Sequence, residues 1–358
     1  MSLPVGMDAC SYYRVKQPLE QIKLTTEHDT HVIDYKHDDM VNLVKVFPEV
    51  DVFYTRPGSE KGLSEIRSFP EIPIKAKIVV DIDDNLELIN PTSQFYAEYG
   101  LKEIEYHGKP VWKNNSNGFS IFKNYIRKTY VEYGLRKADL VVVTTDKLAE
   151  HALKFNKNVF VNDNTIDFTK WWRLNNKINA PLKVIWQGSP SHYNDWYSIK
   201  DPLNTLLREF NFELYMLGSQ YQGIIDEDLR HRVHALPWVP FEAHSYRMMA
   251  LQADIALIPL ANDEFNHYKS SIKWYEMSAM GVPSVVSNVE PYSKCIQHGK
   301  TALGYSNEKE FCDSLKALLT NKGLRKNIGN SAYQWVKDNK DVTKESKKLS
   351  ERLEELCK

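Results

Sequence analysis

The sequence predicts an α/β protein built as two Rossmann-like domains, and three observations lead there. Its 358 residues exceed one small core and suit two domains of ordinary size. Short runs rich in valine and isoleucine alternate with helical or irregular pieces, the pattern of a parallel sheet. That alternation fades between Trp171 and Ala180 and restarts at Lys183, so a sheet is expected on each side. The resulting boundaries are 1–168, 181–333 and a helical tail over 334–358.

In the first domain a strand is expected near Leu3–Met7 and a helix from about Pro18. Further buried strands are expected at Val50–Tyr54, Lys77–Ile82 and Leu140–Thr144, with a last strand and turn in Val159–Asp167. The second domain opens with Lys183–Trp186, which runs into Gln187-Gly188-Ser189-Pro190, a tight loop where backbone can approach a ligand. Glu213–Leu217, Ile255–Pro259 and Ser284–Ser287 follow as strands. The tail is polar and helical, with Leu349, Leu353 and Leu356 at its apolar positions.

Composition narrows the class. Hydrophobic residues make up 42% and charged residues 26%, as in soluble globular proteins. No apolar run approaches the roughly 20 residues that cross a bilayer. The first residues, MSLPVGMDACSYYR, carry no basic segment followed by an apolar one, so no secretory signal is expected. Cys10, Cys295, Cys312 and Cys357 lack the paired spacing of metal or redox sites, and a cytoplasmic location is expected. A formal net charge of −1 argues against a chain coated for nucleic acid and leaves a local basic patch open.

The chemically richest stretch is Phe265–Asn288, FNHYKSSIKWYEMSAMGVPSVVSN. It reads as a loop, a short helix that Ser270 or Ser271 can cap, a stop at Gly281 and Pro283, and a buried strand. Lys269 precedes the helix and Lys273 sits on its first turn, where free N–H groups and the helix dipole already favour anions. Together they suit a diphosphate. Glu276, one turn deeper, can accept from two neighbouring hydroxyls such as those of a ribose. The same spacing also fits an ordinary Lys273–Glu276 pair on a solvated helix.

This stretch resembles the donor segment of retaining GT-B glycosyltransferases, and is most similar to a branch reading F-N-x-x-K-S-x-x-K-x-x-E. The likeness runs through the chain in order: ACSYYRVKQPLEQI, VVDIDDNLELINP, RKADLVVVTTDKLAEHALKF with VNDNTID, VIWQGSPSHYND and WVPFEAHSYRMMALQADIALIPL. It points to the large glycosyltransferase family 4-like group, in its phage and bacterial branch. The resemblance implies a GT-B fold whose last helix returns to the first domain. It implies a nucleotide-diphosphate sugar as co-substrate, a UDP-sugar foremost, with Glu276 on the ribose and the basic residues on the diphosphate. No metal or other cofactor is expected, since Lys269 and Lys273 supply the positive charge. Relatives often carry a second glutamate where this chain has Tyr268; Asp263 and Glu264 are the nearest acids.

Other candidates surround this unit. Asp81, Asp83 and Asp84 follow a strand at the carboxyl end of a sheet, where open α/β folds bind ligands. Such a carboxylate can orient or deprotonate an acceptor hydroxyl, or stabilise charge at an anomeric carbon; one of the three is also expected to cap the next turn. Gly188 and Ser189 are expected to turn backbone N–H groups to the diphosphate, with His192 hydrogen-bonding phosphate or sugar, or else packing its loop. Trp238 sits where relatives hold the nucleotide base, or belongs to the core. Tyr12, Tyr13 and Arg14 are assigned to the acceptor side. Thr144, Thr145 and Asp146 read as a helix cap.

Leu101–Lys137 mixes basic residues with aromatics, among them Lys123, Arg127, Lys128, Tyr125 and Tyr130. The mixture suits a polyanionic acceptor, and equally a helix whose aromatics pack inward and whose lysines are solvated. A glycan or a hydroxylated nucleic-acid base are the acceptors considered. Two rival functions remain at this level: a silent nucleotide-sugar-binding scaffold, and a haloacid-dehalogenase-type phosphohydrolase built on Asp81 and Asp83.

Overall fold

Runs of β-branched residues set both sheets of the computed structural model, which describes residues 1–2, 8–33, 47–56, 75–173, 180–219 and 221–358. The strand expected at 3–7 lies outside these residues. A continuous helix over 9–25 (α1) comes first. It begins well before Pro18, running through a π-helical stretch, Tyr12–Lys16, that ends two residues before the proline. β1 (Val52–Thr55) and β2 (Lys77–Ile82) follow, then an antiparallel hairpin of β3 (Ile104–Tyr106) and β4 (Lys109–Trp112). Helix α2 (Ile121–Lys137), β5 (Leu140–Val143), α3 (Asp146–Ala152) and β6 (Val159–Val161) complete the domain. Its sheet runs β1-β2-β5-β6, all parallel. All four residues of β5 are buried, as a strand covered on both faces requires.

The second domain contains β7 (Leu182–Gly188), α4 (Lys200–Glu209), β8 (Phe212–Gly218), β9 (Val233–Leu236) and α5 (Phe241–Leu251). It continues with β10 (Ile255–Ile258), α6 (Ile272–Ala279), β11 (Ser284–Ser287), β12 (Leu303–Tyr305), α7 (Glu308–Thr320) and α8 (Lys322–Asn339). Its parallel sheet has the order β12-β11-β10-β7-β8-β9. Strands are added to one side of β7 and then, from β10, to the other. The crevice beyond the carboxyl ends of β7 and β10 is therefore the switch point where such sheets bind ligands. β9 and β12 were not expected: VHAL and LGY are too short and mixed to stand out from loop.

The domains are tied by two chain crossings that hydrogen-bond to each other. Ile166 N–H donates to the Lys340 carbonyl at 2.8 Å, and Val342 N–H donates to the Ile166 carbonyl at 3.0 Å. Ile166 and Trp171 are buried in the second domain's core, so the first crossing starts earlier than the expected loss of periodicity. Residues 174–179 of that linker lie outside the described ones. The last helix, α9 (Val342–Cys357), packs Leu349, Leu353 and Leu356 against Val15, Leu19 and Ile22 of α1. The expected return to the first domain is observed. Full burial of a leucine such as Leu349 contributes on the order of 1.5–3 kcal/mol.

Candidate active site

Helix α6 delivers the central charges to the switch point. It ends at Gly281, whose φ of 72° lies in the left-handed region, and Val282 N–H donates to the Met277 carbonyl at 3.0 Å. Neither expected serine caps its start. Ser270 Oγ accepts from Asn164 Nδ2 at 2.7 Å, and Ser271 Oγ accepts from the Cys295 thiol at 3.2 Å. No side chain caps α6, which leaves its start in the state that receives an anion.

Lys273 belongs to a buried relay rather than to a pair with Glu276. Its Nζ lies 2.7 Å from His192 Nε2, and His192 Nδ1 lies 2.6 Å from Asp195 Oδ2. A carboxylate only accepts, so the imidazole proton is on Nδ1 and Nε2 accepts from the lysine. Asp195 Oδ1 also accepts from Ala261 N–H and Asn266 Nδ2, which fixes the relay to the loop after β10. Burial, reinforced by the Lys273 charge, pulls His192 down to about 3, so the ring is neutral. Burial likewise pulls Lys273 down to about 7. The Lys269 charge adds to that depression; its Nζ sits 3.7 Å from Asp84 and 4.4 Å from the Phe265 ring centre.

Glu276 is 4% exposed and accepts from Tyr13 Oη at 2.6 Å and from Gln187 Nε2. A carboxylate offers about four acceptor positions, so about two remain for a ligand diol. Tyr13 reaches Glu276 from the first domain, and with Tyr12 it packs against Phe241, at ring distances of 5.2 and 4.6 Å. Both tyrosines are thus part of the seam between domains and not of an open acceptor surface, because α1 buries them. Tyr12 Oη accepts from Lys170 Nζ at 2.9 Å.

Arg14 is the clearest correction. It is fully buried and grips Asp81 with both Nε (2.9 Å) and Nη2 (2.8 Å), while Nη1 donates to the Asn162 carbonyl and Asn164 Oδ1. Tyr54 Oη donates to the same aspartate at 2.6 Å. Arg14 is thus committed to Asp81 and the 162–164 turn rather than to an open surface, and Asp81, fully buried and held by Arg14 and Tyr54, is not placed as a free phosphohydrolase nucleophile. Asp83 and Asp84 remain at the cleft. Arg56 Nη2 holds Asp83 at 2.7 Å, and although burial alone raises that carboxyl, the arginine charge brings it below its usual range. Burial raises Asp84, with Lys269 opposing. None of the three caps the next turn, whose N-cap is Asn85 without a side-chain bond. Thr145, as expected, caps α3 by accepting from Leu148 N–H at 3.2 Å.

On the opposite rim, Trp238 is 58% exposed, which excludes a core role. Its indole lies against Gly218, where φ is 95° and a Cβ would come within 2.7 Å of the ring. Gly188 stands beside it at the end of β7: its carbonyl accepts from Ser219 N–H at 2.9 Å. Ser189 Oγ pairs with Ser191 Oγ at 2.8 Å. Tyr268 is buried in the first domain's core, and no acid replaces a glutamate there. Asp263 is held by Asn90, Asn194 and the Asn266 N–H, and Glu264 is exposed. Arg56, Gln187, Asp195 and His244 (3.9 Å from Glu276) were missed by the sequence reading. Arg56 and Gln187 had a usable signal, lying at the carboxyl ends of β1 and β7.

Segment 101–137 departs from the reading in which its aromatics pack inward. Helix α2 turns Asn124 and Leu135 inward, and Lys128 pairs with Glu87 at 2.7 Å. Arg127 Nη1 donates to the Glu98 carbonyl. Phe122, Tyr125, Tyr130 and Tyr133 are left exposed on the outer face. The aromatics are outside, and of the segment's cations Arg127 and Lys128 are engaged by partners.

Residues 201–350 match a family model described as glycosyl transferase-like. No curated protein sequence matches the chain. Among solved structures it is similar to a TarM variant from S. aureus, with a TM-score of 0.60 and 12% identity over 87% of this chain and 57% of that one. The chain thus spans little more than half of TarM's length. Sucrose-phosphate synthase from Thermosynechococcus elongatus gives a TM-score of 0.61 and 13% identity, over 96% of this chain and 92% of that one. HepE from Anabaena, solved with UDP-glucose, gives 0.57 and 14%, over 99% and 98%. With two parallel sheets facing across a cleft and a returning last helix, the chain has the GT-B fold.

Proposed function

We propose that this protein is a glycosyltransferase that moves a sugar from a nucleotide-diphosphate sugar, a UDP-sugar foremost, to an acceptor hydroxyl with retention of configuration. The observation that carries the reading is the convergence of Lys269, Lys273, Glu276 and an uncapped helix start at the switch point, facing Asp83 and Asp84. Support also comes from the glycosyl transferase-like match and from neighbours solved with UDP or UDP-glucose. In this reading the diphosphate lies at Lys269 and Lys273, the ribose at Glu276 and the base against Trp238. The bond from the anomeric carbon to the diphosphate breaks, with its electron pair leaving on phosphate. The acceptor oxygen forms the new bond, and its proton passes to the departing phosphate or to Asp84, whose raised pKa suits a proton acceptor. Positive charge at the leaving group comes from the two lysines and needs no metal. The setting proposed is cytoplasmic, and no described helix is long and apolar enough to cross a membrane.

A nucleotide-sugar-binding protein without turnover is the second reading, favoured by Tyr268 where relatives have a glutamate. Release of free sugar from nucleotide sugars, followed with and without candidate acceptors, separates the two. Turnover abolished by Lys273→Met supports the transferase. Tight binding with no turnover under any acceptor supports the scaffold.

A further inference from the structure

Helix α2 has an outer face that neither the fold nor the proposed chemistry uses. Successive helical residues turn by about 100°, so Phe122, Ile126 and Tyr133 form one stripe, with Tyr125 and Tyr130 on its flanks. These five side chains are 37–72% exposed. Single exposed aromatics are ordinary, but five apolar or aromatic residues on one face of a helix mark an interaction surface. Lys123, Arg136 and Lys137 border the stripe and are exposed. Arg136 lies 4.9 Å from the Phe155 ring centre, and Lys137 lies 5.8 Å from that of Tyr133. Glu132, the helix's single acid, turns away from the stripe to Lys128 at 3.3 Å. The β3–β4 hairpin adjoins the helix start, where Asn114 Oδ1 accepts from Ile121 N–H at 3.0 Å, and it exposes Tyr106, Lys109 and Val111.

The charge of this region selects the partner. Segment 101–137 carries eight lysines and arginines against three glutamates, in a chain whose formal net charge is −1. A second copy of the chain would set the basic borders of two such faces against each other, which like charges oppose. A single strand of nucleic acid is held in a groove that tracks its backbone, whereas these rings stand on the outside of a helix. An apolar stripe bordered by phenols and cations is instead the arrangement of helices that lie in the interfacial layer of a bilayer. Phenylalanine and isoleucine enter the acyl boundary, tyrosines sit at headgroup level and the cations meet anionic headgroups. We propose that the outer face of α2 docks this protein on a membrane surface rich in anionic lipid, with the helix in the plane of the interface. Such docking is peripheral and needs no membrane-crossing helix. It stands independently of the transferase reading, since none of these residues belongs to the donor site.

The test floats the full chain with vesicles of phosphatidylcholine alone and of phosphatidylcholine mixed with phosphatidylglycerol, and titrates it separately with a thymidine oligonucleotide. The native protein is expected to bind the anionic vesicles at least about tenfold more tightly than the neutral ones, and to lose that preference at about 1 M salt. The Phe122→Ser, Tyr133→Ser double variant removes the centre of the stripe and should weaken vesicle binding about tenfold or more. The Lys123→Gln, Arg136→Gln double variant should weaken it about fivefold per charge. All four positions are exposed, so both variants should keep the native Tm, and either pair serves if the other does not. No vesicle binding, equal binding to the two compositions, or binding that survives both double variants overturns the proposal. Tighter binding of the oligonucleotide than of the vesicles also overturns it and assigns the face to nucleic acid. UDP-glucose affinity, read on the same samples, decides the transferase reading separately.

Discussion

Lys273 offers a prediction with its sign fixed by the structure. Burial holds the free lysine down to about 7, with Lys269 adding to the depression. A bound diphosphate brings two negative charges to the same place and returns the lysine toward its ordinary value near ~10.4. Donor binding above neutral pH must therefore take up a proton. Below about pH 6 the lysine is already charged and affinity is full. As pH rises above the free value, each unit weakens binding about tenfold, or roughly 1.4 kcal/mol, so pH 9 costs about 2.7 kcal/mol relative to the low-pH plateau and about 2.3 kcal/mol relative to pH 7. UDP-glucose suits the assay because its diphosphate diester does not titrate in this window. Calorimetry from pH 6 to 9, in buffers of different ionisation enthalpy, reads affinity and proton uptake together. His192 adds no slope, since it is held down to about 3. A flat affinity with no proton uptake, or a decline that persists in Lys273→Met, would refute the relay.

Other substitutions test separate parts of the account. Glu276→Gln keeps shape and an acceptor for Tyr13 but loses the charge, so nucleotide-sugar affinity should fall by about 1.5–3 kcal/mol, and an unchanged Kd by calorimetry removes Glu276 from the site. Arg14→Ala leaves Asp81 buried and unpaired and should cost about 3–5 kcal/mol of stability in urea unfolding, with donor affinity of the folded protein retained; a stable variant that cannot bind donor would return Arg14 to the site. Leu349→Ala should cost about 2–5 kcal/mol and loosen α9 from α1, seen as faster hydrogen exchange confined to those two helices. An exchange pattern unchanged there would mean that the tail adds little to the first domain.

Much of the fold was legible because its strands are pure in pattern. Lys77–Ile82 and Ser284–Ser287 were anticipated to the residue, and the other long strands within two residues at each end. What stayed hidden depends on contacts distant in sequence. Nothing near Arg14 announces that Asp81, 67 residues away, will bury its charge. Nothing near Glu276 announces Tyr13, 263 residues away. The aromatics of α2 misled because helical spacing identifies a stripe but not which side of it the domain covers. Here Asn124, hydrogen-bonded to the Ala97 and Gly100 carbonyls, takes the inward face that the tyrosines were expected to fill. The donor unit was readable because helix start, lysines and glutamate lie within one short stretch.

The central claim is that the switch-point cluster holds a nucleotide-diphosphate sugar. Thermal unfolding with UDP-glucose, GDP-mannose, ADP-glucose and dTDP-glucose tests it most directly, since a ligand that binds only the folded state must stabilise it. At a hundredfold excess over Kd the gain is about 2.7 kcal/mol, a shift of several degrees in Tm. The account predicts such a shift with at least one of the four donors, abolished in the Lys269→Met, Lys273→Met double variant. No shift with any donor, or a shift that survives the double substitution, contradicts it.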